Sequence, residues 1–399
     1  MNLEDIQDNT EFILNWPGKI VFRAGCLADL GQQAKLLGRH AFLVTTQDLS
    51  KLGVTQRACQ YLKQEGIKVT FFEDVQPDPT SVAVDGAAEL AQSAGCDLII
   101  SVGGGSAIDF GKALAVAVTH EGPIWDYVTY TGANAKQVTS NVLPLIAIPT
   151  TAGTGSEVSL GTVLDNPIKH MKAALLSPNV YPKIAMIDPE LTYTMPPHIT
   201  AMTGFDALTH GVESFLNTTK SNPASEVFAL YAVQRIVHFL PKAVADGNDH
   251  QARRQMSWAA TAAGIAMALS NVTVAHAMGL PLGSRVHVPH GLGLARLLPV
   301  VMEHSYKEQP RRYADLADHI GVVQANGSVE EKAKGLITWL VDFIANLGLD
   351  ALWKGYAIDD AMLDLLTDDV FAYMGRPVQQ HKPVFDRAQV KEIYKIALI

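Results

Sequence analysis

Four residues of types that bind divalent metal ions stand in the second half of the chain. Asp206 and His210 are four residues apart in GFDALTHGVE, a spacing that places both side chains on one face of a helix. His276 begins HAMGLPLG, and His290 is the histidine of the PHG that follows. One carboxylate and three imidazoles suit Fe(II) or Zn(II) and leave room for a substrate oxygen. By spacing alone, a surface hydrogen bond and buried structural histidines are the more common interpretation.

A glycine-rich turn in the first half has the composition of a phosphate-binding loop. It follows the apolar run 97–102, precedes the helical stretch 107–118, and consists of Gly103, Gly104, Gly105 and Ser106. Glycines allow a phosphate to approach the backbone, and a helix N-terminus attracts an anion. Ser106 suits a helix N-cap or a hydroxyl donor to phosphate. A tight strand-to-helix turn without a ligand is the alternative interpretation.

A second polar loop, PTTAGTGSE at 149–157, follows the apolar run 145–148. Its hydroxyls include those of Thr150, Thr151 and Thr154. Two glycine- and hydroxyl-rich loops, each at the end of a strand, favour a nucleotide crevice at the carboxyl edge of a parallel sheet. Each loop by itself is also compatible with an ordinary connection.

The elements that must position these residues alternate between strands and helices in the first half. Strands are predicted at 40–44, 67–72, 97–102, 144–148 and 184–187, with helices at 50–66 and 80–95 between them. Such alternation predicts βαβ units and a mostly parallel sheet covered on both faces.

After Asp188 helical periodicity dominates, most clearly at 225–239, 252–269 and 329–347. Prolines at 189, 196 and 197 mark the change. We therefore predict an α/β nucleotide-binding domain at 1–188 and an all-helical metal-binding and substrate domain at 189–399.

Taken in order, GGGSAIDFGKA, PTTAGTGSE, GFDALTHGVE, and HAMGLPLG with PHG closely resemble the iron-containing (group III) alcohol dehydrogenases. The resemblance covers nearly the whole chain. It implies a Rossmann-like N-terminal domain and an all-α C-terminal domain, the fold shared with dehydroquinate synthase. It also implies hydride transfer between NAD or NADP and a small alcohol, aldehyde or ketone whose oxygen is bound to one divalent ion, iron or zinc.

The resemblance assigns roles to individual residues. It makes Asp206, His210, His276 and His290 metal ligands that act catalytically through the ion. Lys172 matches a lysine near the nicotinamide ribose, and Lys112 belongs to the GGGSxxDxxK segment. The implied cofactor-binding set is Thr46, Gly103, Gly104, Gly105, Ser106, Asp109, Thr150, Thr151, Thr154 and Lys172.

Several positions depart from that family's pattern. Leu280 stands where many members carry a second histidine four residues after the first, which leaves the proton relay open; His287 is a candidate replacement. Arg285 is a candidate for binding an acidic substrate. Thr46 occupies the place of an aspartate that disfavours NADP, so the choice between NAD and NADP stays open. The segment 375–381 replaces a shorter Asn-Pro-Arg pattern, which leaves the substrate undetermined.

Composition narrows the remaining possibilities. The formal net charge of -9 disfavours a nucleic acid or an anionic membrane as partner. Three cysteines without a CxxC spacing, and an acidic N-terminus without signal-peptide features, favour the reducing cytoplasm. No apolar stretch long enough to span a bilayer is expected, and the predicted assembly is a homodimer or a larger homo-oligomer.

Two other functions remain to be weighed. One is an NAD- and metal-dependent lyase of the dehydroquinate synthase type, although that chemistry requires several basic residues for its substrate. The other is a non-catalytic relative that retains the fold. Metal content and nicotinamide binding separate these alternatives from an alcohol dehydrogenase.

Overall fold

A computed structural model describes residues 18–129, 135–169, 171–322, 326–353 and 356–399. The acidic N-terminal segment, on which the expectation of no signal peptide rests, lies outside the described residues. The described chain folds as two compact units, with the division between Thr194 and Met195.

The first unit is built on a parallel sheet, which has six strands within the described residues, in the order β1-β8-β5-β4-β2-β3. Successive residues of β2 alternate between two apolar clusters, with Phe42 and Val44 in one and Ala41 and Leu43 in the other. Burial on both faces explains the unbroken apolar runs in the sequence. The strands are β1 Lys19–Phe22, β2 His40–Val44, β3 Lys68–Phe72, β4 Leu98–Gly103, β5 Leu145–Pro149 and β8 Ile184–Ile187.

Helices connect these strands as the alternating pattern predicts. The single helix expected at 50–66 is two helices instead, because Gly53 adopts a left-handed conformation with φ of 76° between them. The helix expected at 80–95 is present, and the Thr80 side chain accepts a hydrogen bond from the Ala83 amide at its start. The helices of this unit are α1 Leu30–Lys35, α2 Gln47–Lys51, α3 Val54–Gln64, α4 Ser81–Ala94 and α5 Gly105–Ala117.

Strand order locates the crevice of this sheet. From β2 the chain moves outward to β3, and then returns to β4 and β5 on the other side of β2. Ligands of open α/β sheets bind where the direction reverses, beyond the carboxyl ends of the strands. That point lies between β2, which Thr46 follows closely, and β4, which ends at Gly103.

An antiparallel hairpin of β6 Gly161–Asn166 and β7 Met171–Leu176 was not predicted from the sequence. Half-buried and buried residues alternate along β6, whereas Lys172 and Ala173 are both buried in β7, and Asp165 lies opposite Lys172 in the register. Polar residues inside both strands interrupt their apolar runs. This explains why hydrophobic periodicity did not predict the two strands.

The second unit is helical over its described residues. Its helices are α6 Pro197–Leu216, α7 Pro223–Ala245, α8 His250–Ser270, α9 Val274–Val286, α10 His290–Ser305, α11 Pro310–Ile320, α12 Val329–Asn346, α13 Leu349–Leu352, α14 Asp360–Tyr373, α15 Gly375–Gln379 and α16 Arg387–Leu398. The helices predicted at 225–239, 252–269 and 329–347 are confirmed as α7, α8 and α12.

The expectation that no stretch could span a bilayer was too strict. By length and composition α7 passes as a candidate span, and the bent pair α8–α9 could count as another. Within the unit α7 packs against α6 and α8, as a core helix does. Packing against α6 and α8 therefore explains why α7 is apolar on its buried face.

Close approach of α10 to α6 depends on Gly291, next to His290. A Cβ atom added at Gly291 would lie 2.0 Å from the carbonyl oxygen of Met202 on α6. That atom belongs to the backbone, so relief requires one of the helices to move. The glycine of the PHG motif thus lets the helix of His290 pack closely against the helix of Asp206.

We predict that Gly291→Ala destabilises the protein by about 1–3 kcal/mol through overpacking. Gly86→Ala is the matched control, because Gly86 is exposed inside α4 with nothing within 4 Å of an added Cβ. That control should stabilise by about 0.5–1 kcal/mol, the usual cost of glycine in a helix. Chemical denaturation measures both free energies of unfolding, and equal effects would contradict this account of Gly291.

Candidate metal and cofactor sites

Helix α6 carries the first two metal-ligand candidates. Asp206 and His210 lie one turn apart on its buried face, 3% and 5% exposed. The helix begins at Pro197, a residue that suits the first helical position because it has no N–H to leave unpaired. The sequence prediction of a shared helix face is confirmed.

The other two candidates come from consecutive helices. His276 lies in the first turn of α9, and His290 is the first residue of α10. Between them His287 ends α9 in a left-handed conformation with φ of 58°, which turns the chain. His276 is buried, whereas the side chain of His290 is 31% exposed.

The three histidine side chains converge on the fourth candidate, at Oδ1 of Asp206. The Nε2 atoms of His210, His276 and His290 lie 3.7, 3.5 and 3.6 Å from it. In a tetrahedral shell with metal–ligand bonds of about 2.0–2.1 Å, neighbouring ligand atoms are separated by about 3.4 Å. The three separations from Oδ1 are close to that value, and ligand atoms of Asp206, His276 and His290 all lie within 4.8 Å of one another, so these residues form a possible metal site with His210 beside it.

Two of these atoms lack any other partner. Oδ1 of Asp206 and Nε2 of His276 are buried and have no hydrogen bond within the described protein. Buried polar atoms are nearly always satisfied, so a pair of such atoms aimed at one point indicates a missing ligand. Three nitrogens and one oxygen are the donor set expected for Fe(II) or Zn(II), and the site fits a divalent ion.

Glu213 orients His276 from the side opposite the candidate ion. Its Oε2 lies 2.5 Å from Nδ1 of His276, and its Oε1 accepts hydrogen bonds from the Thr273 hydroxyl and the Ala275 amide. A carboxylate on the second ring nitrogen fixes the tautomer of a metal-binding histidine. Sequence reasoning missed Glu213, although its position seven residues after Asp206 on α6 was a usable signal.

The charges of this cluster depend on one another. Burial by itself raises the pKa of Glu213, but His276 and the hydrogen bonds from Thr273 lower it to about 2. Burial lowers the pKa of His276, but Glu213 and Asp206 raise it to about 9. Three imidazoles likewise lower the pKa of the buried Asp206 despite desolvation. Both carboxylates are thus held ionised, and the cluster favours positive charge between them.

The two predicted nucleotide loops lie side by side in the first unit. The Thr150 amide donates to the carbonyl oxygen of Gly103, and a Cβ at Gly105 would lie 2.6 Å from the Thr154 side chain. The helix after the first loop starts at Gly105, with Gly104 as its N-cap and no side-chain cap. The expected N-cap role of Ser106 was therefore wrong, and no side chain caps the first turn of α5.

Asp109 and Lys112 tie α5 to the segment that follows the second loop. The carboxylate of Asp109 accepts from the Ser156 hydroxyl and the Val163 amide. Nζ of Lys112 donates to two oxygens of Ser159 and to the Gly161 carbonyl, and burial lowers the pKa of Lys112 to about 8. These contacts give both residues an architectural role, and cofactor binding by Asp109 stays a prediction.

Two further predicted cofactor residues occupy other parts of the unit. Nζ of Lys172 lies 2.5 Å from the carboxylate of Asp78, and Lys172 is buried. Thr46 is half-buried at the start of α2 and forms a β-bridge with Asp74. Thr46 thus lies near the switch point of the sheet, as the sequence prediction requires, but its contact with a cofactor stays a prediction.

Three residues singled out because of the missing histidine or the substrate, Leu280, Arg285 and His287, lie on α9 or at its end. Leu280 is half-buried one turn after His276 on α9. His287 is exposed, and its backbone conformation ends the helix. Arg285 makes a bidentate pair with Asp369, and the two charges neutralise each other. The structure thus gives no support to binding of an acidic substrate by Arg285.

The segment 375–381 lies against the start of α9. Oε1 of Gln380 accepts from the Asn271 amide group, its carbonyl accepts from Thr219, and His381 contacts Thr273. The segment therefore reaches the residues around Glu213, and a border with a substrate pocket stays a prediction.

Comparison with known proteins gives concordant results. A family model described as iron-containing alcohol dehydrogenase matches residues 17–189, and one described as Fe-containing alcohol dehydrogenase family, C-terminal, matches residues 200–398. The choline dehydrogenase of Bacillus subtilis (strain 168) is 36% identical over 354 residues, which cover 88% of this chain and 87% of that protein.

Solved structures resemble the chain over almost its whole length. A mutant of an archaeal halo-thermophilic alcohol dehydrogenase from a Red Sea brine pool matches with a TM-score of 0.91 and 29% identity, covering 97% of this chain and 99% of that one. Sulfoacetaldehyde reductase from Bifidobacterium kashiwanohense, solved in complex with NAD+, matches with a TM-score of 0.84 and 28% identity over 97% and 99% of the two chains.

The placement of His287 leads to a prediction that separates a helix cap from a proton relay. If His287 serves only as the C-cap of α9, then His287→Gly should keep turnover within twofold of the parent. It should also stabilise the protein, because glycine adopts a positive φ without strain. His287→Ala should be less stable than His287→Gly by about 1 kcal/mol. Steady-state kinetics and thermal unfolding of both variants test this. A large loss of turnover in both, with an altered pH profile, would instead support the relay.

Proposed function

The chain belongs to the iron-containing alcohol dehydrogenase family and is a metal-dependent, NAD-linked alcohol oxidoreductase, and on this premise we propose that Asp206, His210, His276 and His290 hold its metal ion. The observation that carries the proposal is the convergence of three Nε2 atoms on Oδ1 of Asp206 at 3.5–3.7 Å. Four ligands from three helices fix the position of an ion within a rigid part of the protein.

When bound, the ion supplies a Lewis acid for the oxygen of an alcohol or carbonyl compound, and the nicotinamide accepts or donates the hydride. The protein's part is to hold that arrangement. Glu213 would keep a proton on Nδ1 of His276, which leaves Nε2 of this ring as the ligand atom for the ion. Burial of both carboxylates excludes water from their side of the site.

The two adjacent loops are proposed to bind the cofactor. The uncapped first turn of α5 offers backbone amides to the pyrophosphate, with Ser106 as a hydroxyl donor. Thr150, Thr151 and Thr154 line the neighbouring loop and supply further hydroxyls. Asp109 and Lys112 hold the loops in register through their buried contacts.

The proposed substrate is a small alcohol or aldehyde without a carboxylate or phosphate group. Arg285 is neutralised by Asp369, and Leu280 presents an apolar side chain one turn from His276. Both features favour an uncharged substrate. Rates with short alcohols and with hydroxy acids of equal length test this, and a preference for the acids would overturn it.

The proposed location is the cytoplasm, and the proposed assembly is a homodimer or a larger homo-oligomer. Cys26, Cys59 and Cys96 are free thiols, which supports a reducing compartment. Cell fractionation and light scattering of the purified protein test these two proposals.

For the metal centre, we predict that Asp206→Ala and His276→Ala each lose the bound ion and lower kcat/KM by at least about 100-fold, because an incomplete shell binds weakly. His304→Ala is the matched control, since His304 lies on α10 with His290 but is exposed. Elemental analysis and alcohol oxidation assays measure both effects. Full metal occupancy in the two ligand variants would overturn the assignment.

The same assays separate the alternative functions. A lyase would consume its substrate without net reduction of NAD, and a non-catalytic relative would bind metal and nicotinamide without turnover. Net formation of NADH from a short alcohol supports the dehydrogenase alone.

For the cofactor, we predict that the parent uses both NAD and NADP, and that Thr46→Asp lowers kcat/KM with NADP by at least about tenfold while preserving NAD. A carboxylate near the 2'-phosphate is repelled, and such like-charge contacts cost several kcal/mol. Ser93→Asp, on the exposed face of α4, controls for the added charge. An unchanged ratio of the two efficiencies would show that Thr46 does not face the ribose.

A further inference from the structure

A buried series of hydrogen bonds leads from the metal centre to the C-terminal segment. Oγ1 of Thr273 lies 2.7 Å from Oε1 of Glu213 and 3.3 Å from Nδ1 of His381. On the other side of the ring, Nε2 of His381 lies 2.7 Å from Oγ of Ser305. Glu213, Thr273, His381 and Ser305 are between 0% and 5% exposed. The series thus lies inside the protein.

The number of hydrogens on each group determines which atoms donate and which accept in this series of hydrogen bonds. The Thr273 hydroxyl donates to Oε1 of Glu213, which also accepts from the Ala275 amide, so the single hydroxyl hydrogen of Thr273 is committed to Glu213. Thr273 then has only lone pairs for His381, and Nδ1 of the ring must carry the proton to make that contact favourable. The opposite tautomer would set two lone pairs against each other in a buried site.

Ser305 completes the assignment. With the ring proton on Nδ1, Nε2 accepts from the Ser305 hydroxyl. That hydroxyl also donates to the carbonyl oxygen of Val301 at 2.6 Å, so its single hydrogen is shared between Val301 and Nε2 of His381. Burial lowers the pKa of His381 to about 4, so the ring is neutral near pH 7. The ring N–H of His381 and the hydroxyl of Thr273 therefore both point toward Glu213.

We propose that His381 is a positioning residue for the metal centre, which acts by holding the Thr273 hydroxyl on Glu213 and thereby the His276 ring on the ion. The proposal rests on the assignment of His276 as a metal ligand. It concerns the segment 375–381, which lies against the start of α9. Contacts of Gln380 with Asn271 and Thr219 fix the backbone that carries the ring.

Two amide substitutions distinguish the ring nitrogens. Asparagine at 381 places an NH2 group near the position of Nδ1 and keeps a donor for Thr273. Glutamine places its amide near the position of Nε2 and loses the Thr273 contact. We expect His381→Gln to raise the dissociation constant for Co(II) by about tenfold, the lower range for residues that support metal ligands. His381→Asn should remain within about threefold of the parent, a smaller effect than that same range.

Chelator competition gives the dissociation constant, and the visible absorption of bound Co(II) reports the ligand geometry. His381→Gln should shift this spectrum, whereas a loss of general stability would leave it unchanged. The matched control is His40→Gln, because His40 is also buried and contacts a threonine hydroxyl, at 2.8 Å, but in the first unit. This control should leave the affinity and the spectrum unaltered.

Thr273→Val tests the path. If His381 acts through Thr273, then Thr273→Val weakens Co(II) binding, and adding His381→Gln weakens it no further. Independent effects of the two substitutions would overturn the proposal, as would equal affinities of the Gln and Asn variants. Failure of the parent to bind Co(II) would contradict the proposed function itself, so the two failures are distinguishable.

Discussion

Two buried carboxylates on one face of α6 impose the constraint on which the helical unit depends. Asp206 and Glu213 are 3% and 2% exposed, and removing an ion from water costs several kcal/mol unless positive charge compensates it. His276 lies between them, with Nε2 3.5 Å from Asp206 and Nδ1 2.5 Å from Glu213. The metal ion proposed beside Asp206 would supply the larger compensating charge. The same constraint explains why α9 and α10 bring histidines to this face.

The first unit meets a different requirement, because the cofactor site proposed for it needs backbone amides that are available to a phosphate. Its sheet reverses strand order between β2 and β4, and α5 begins there with a glycine that has no capping side chain. Close packing of the two loops demands small residues at their contact. The polar anchors Asp109 and Lys112 then hold the loops while using none of those amides.

Much of this arrangement can be predicted from the sequence. The parts that could not be predicted were hidden for physical reasons. The spacing of Asp206 and His210 predicts a shared helix face without further information. His276 and His290 come from two other helices, so only the resemblance to a known family identified them as ligands. Glu213 shares the helix period and was visible in principle. His381 was not, because its contact with Thr273 joins residues 108 positions apart.

Local conformation accounts for the remaining differences. Apolar periodicity predicts one continuous helix where Gly53 separates α2 from α3. Periodicity could not show this break, because it carries no information on a residue with positive φ. The N-cap of α5 is Gly104 and not Ser106, because the helix starts closer to the strand than its apolar residues indicate. The β6–β7 hairpin carries polar residues inside its strands, which hides it from an apolar pattern.

Anomalous diffraction from crystals of the Co(II)- or Fe(II)-loaded protein tests the central claim most directly. The account predicts one peak per chain, within about 2.0–2.3 Å of Oδ1 of Asp206 and Nε2 of His210, His276 and His290. It also predicts that Nδ1 of His276 remains hydrogen-bonded to Glu213. A fully occupied ion bound elsewhere, or one that omits Asp206, would contradict the account.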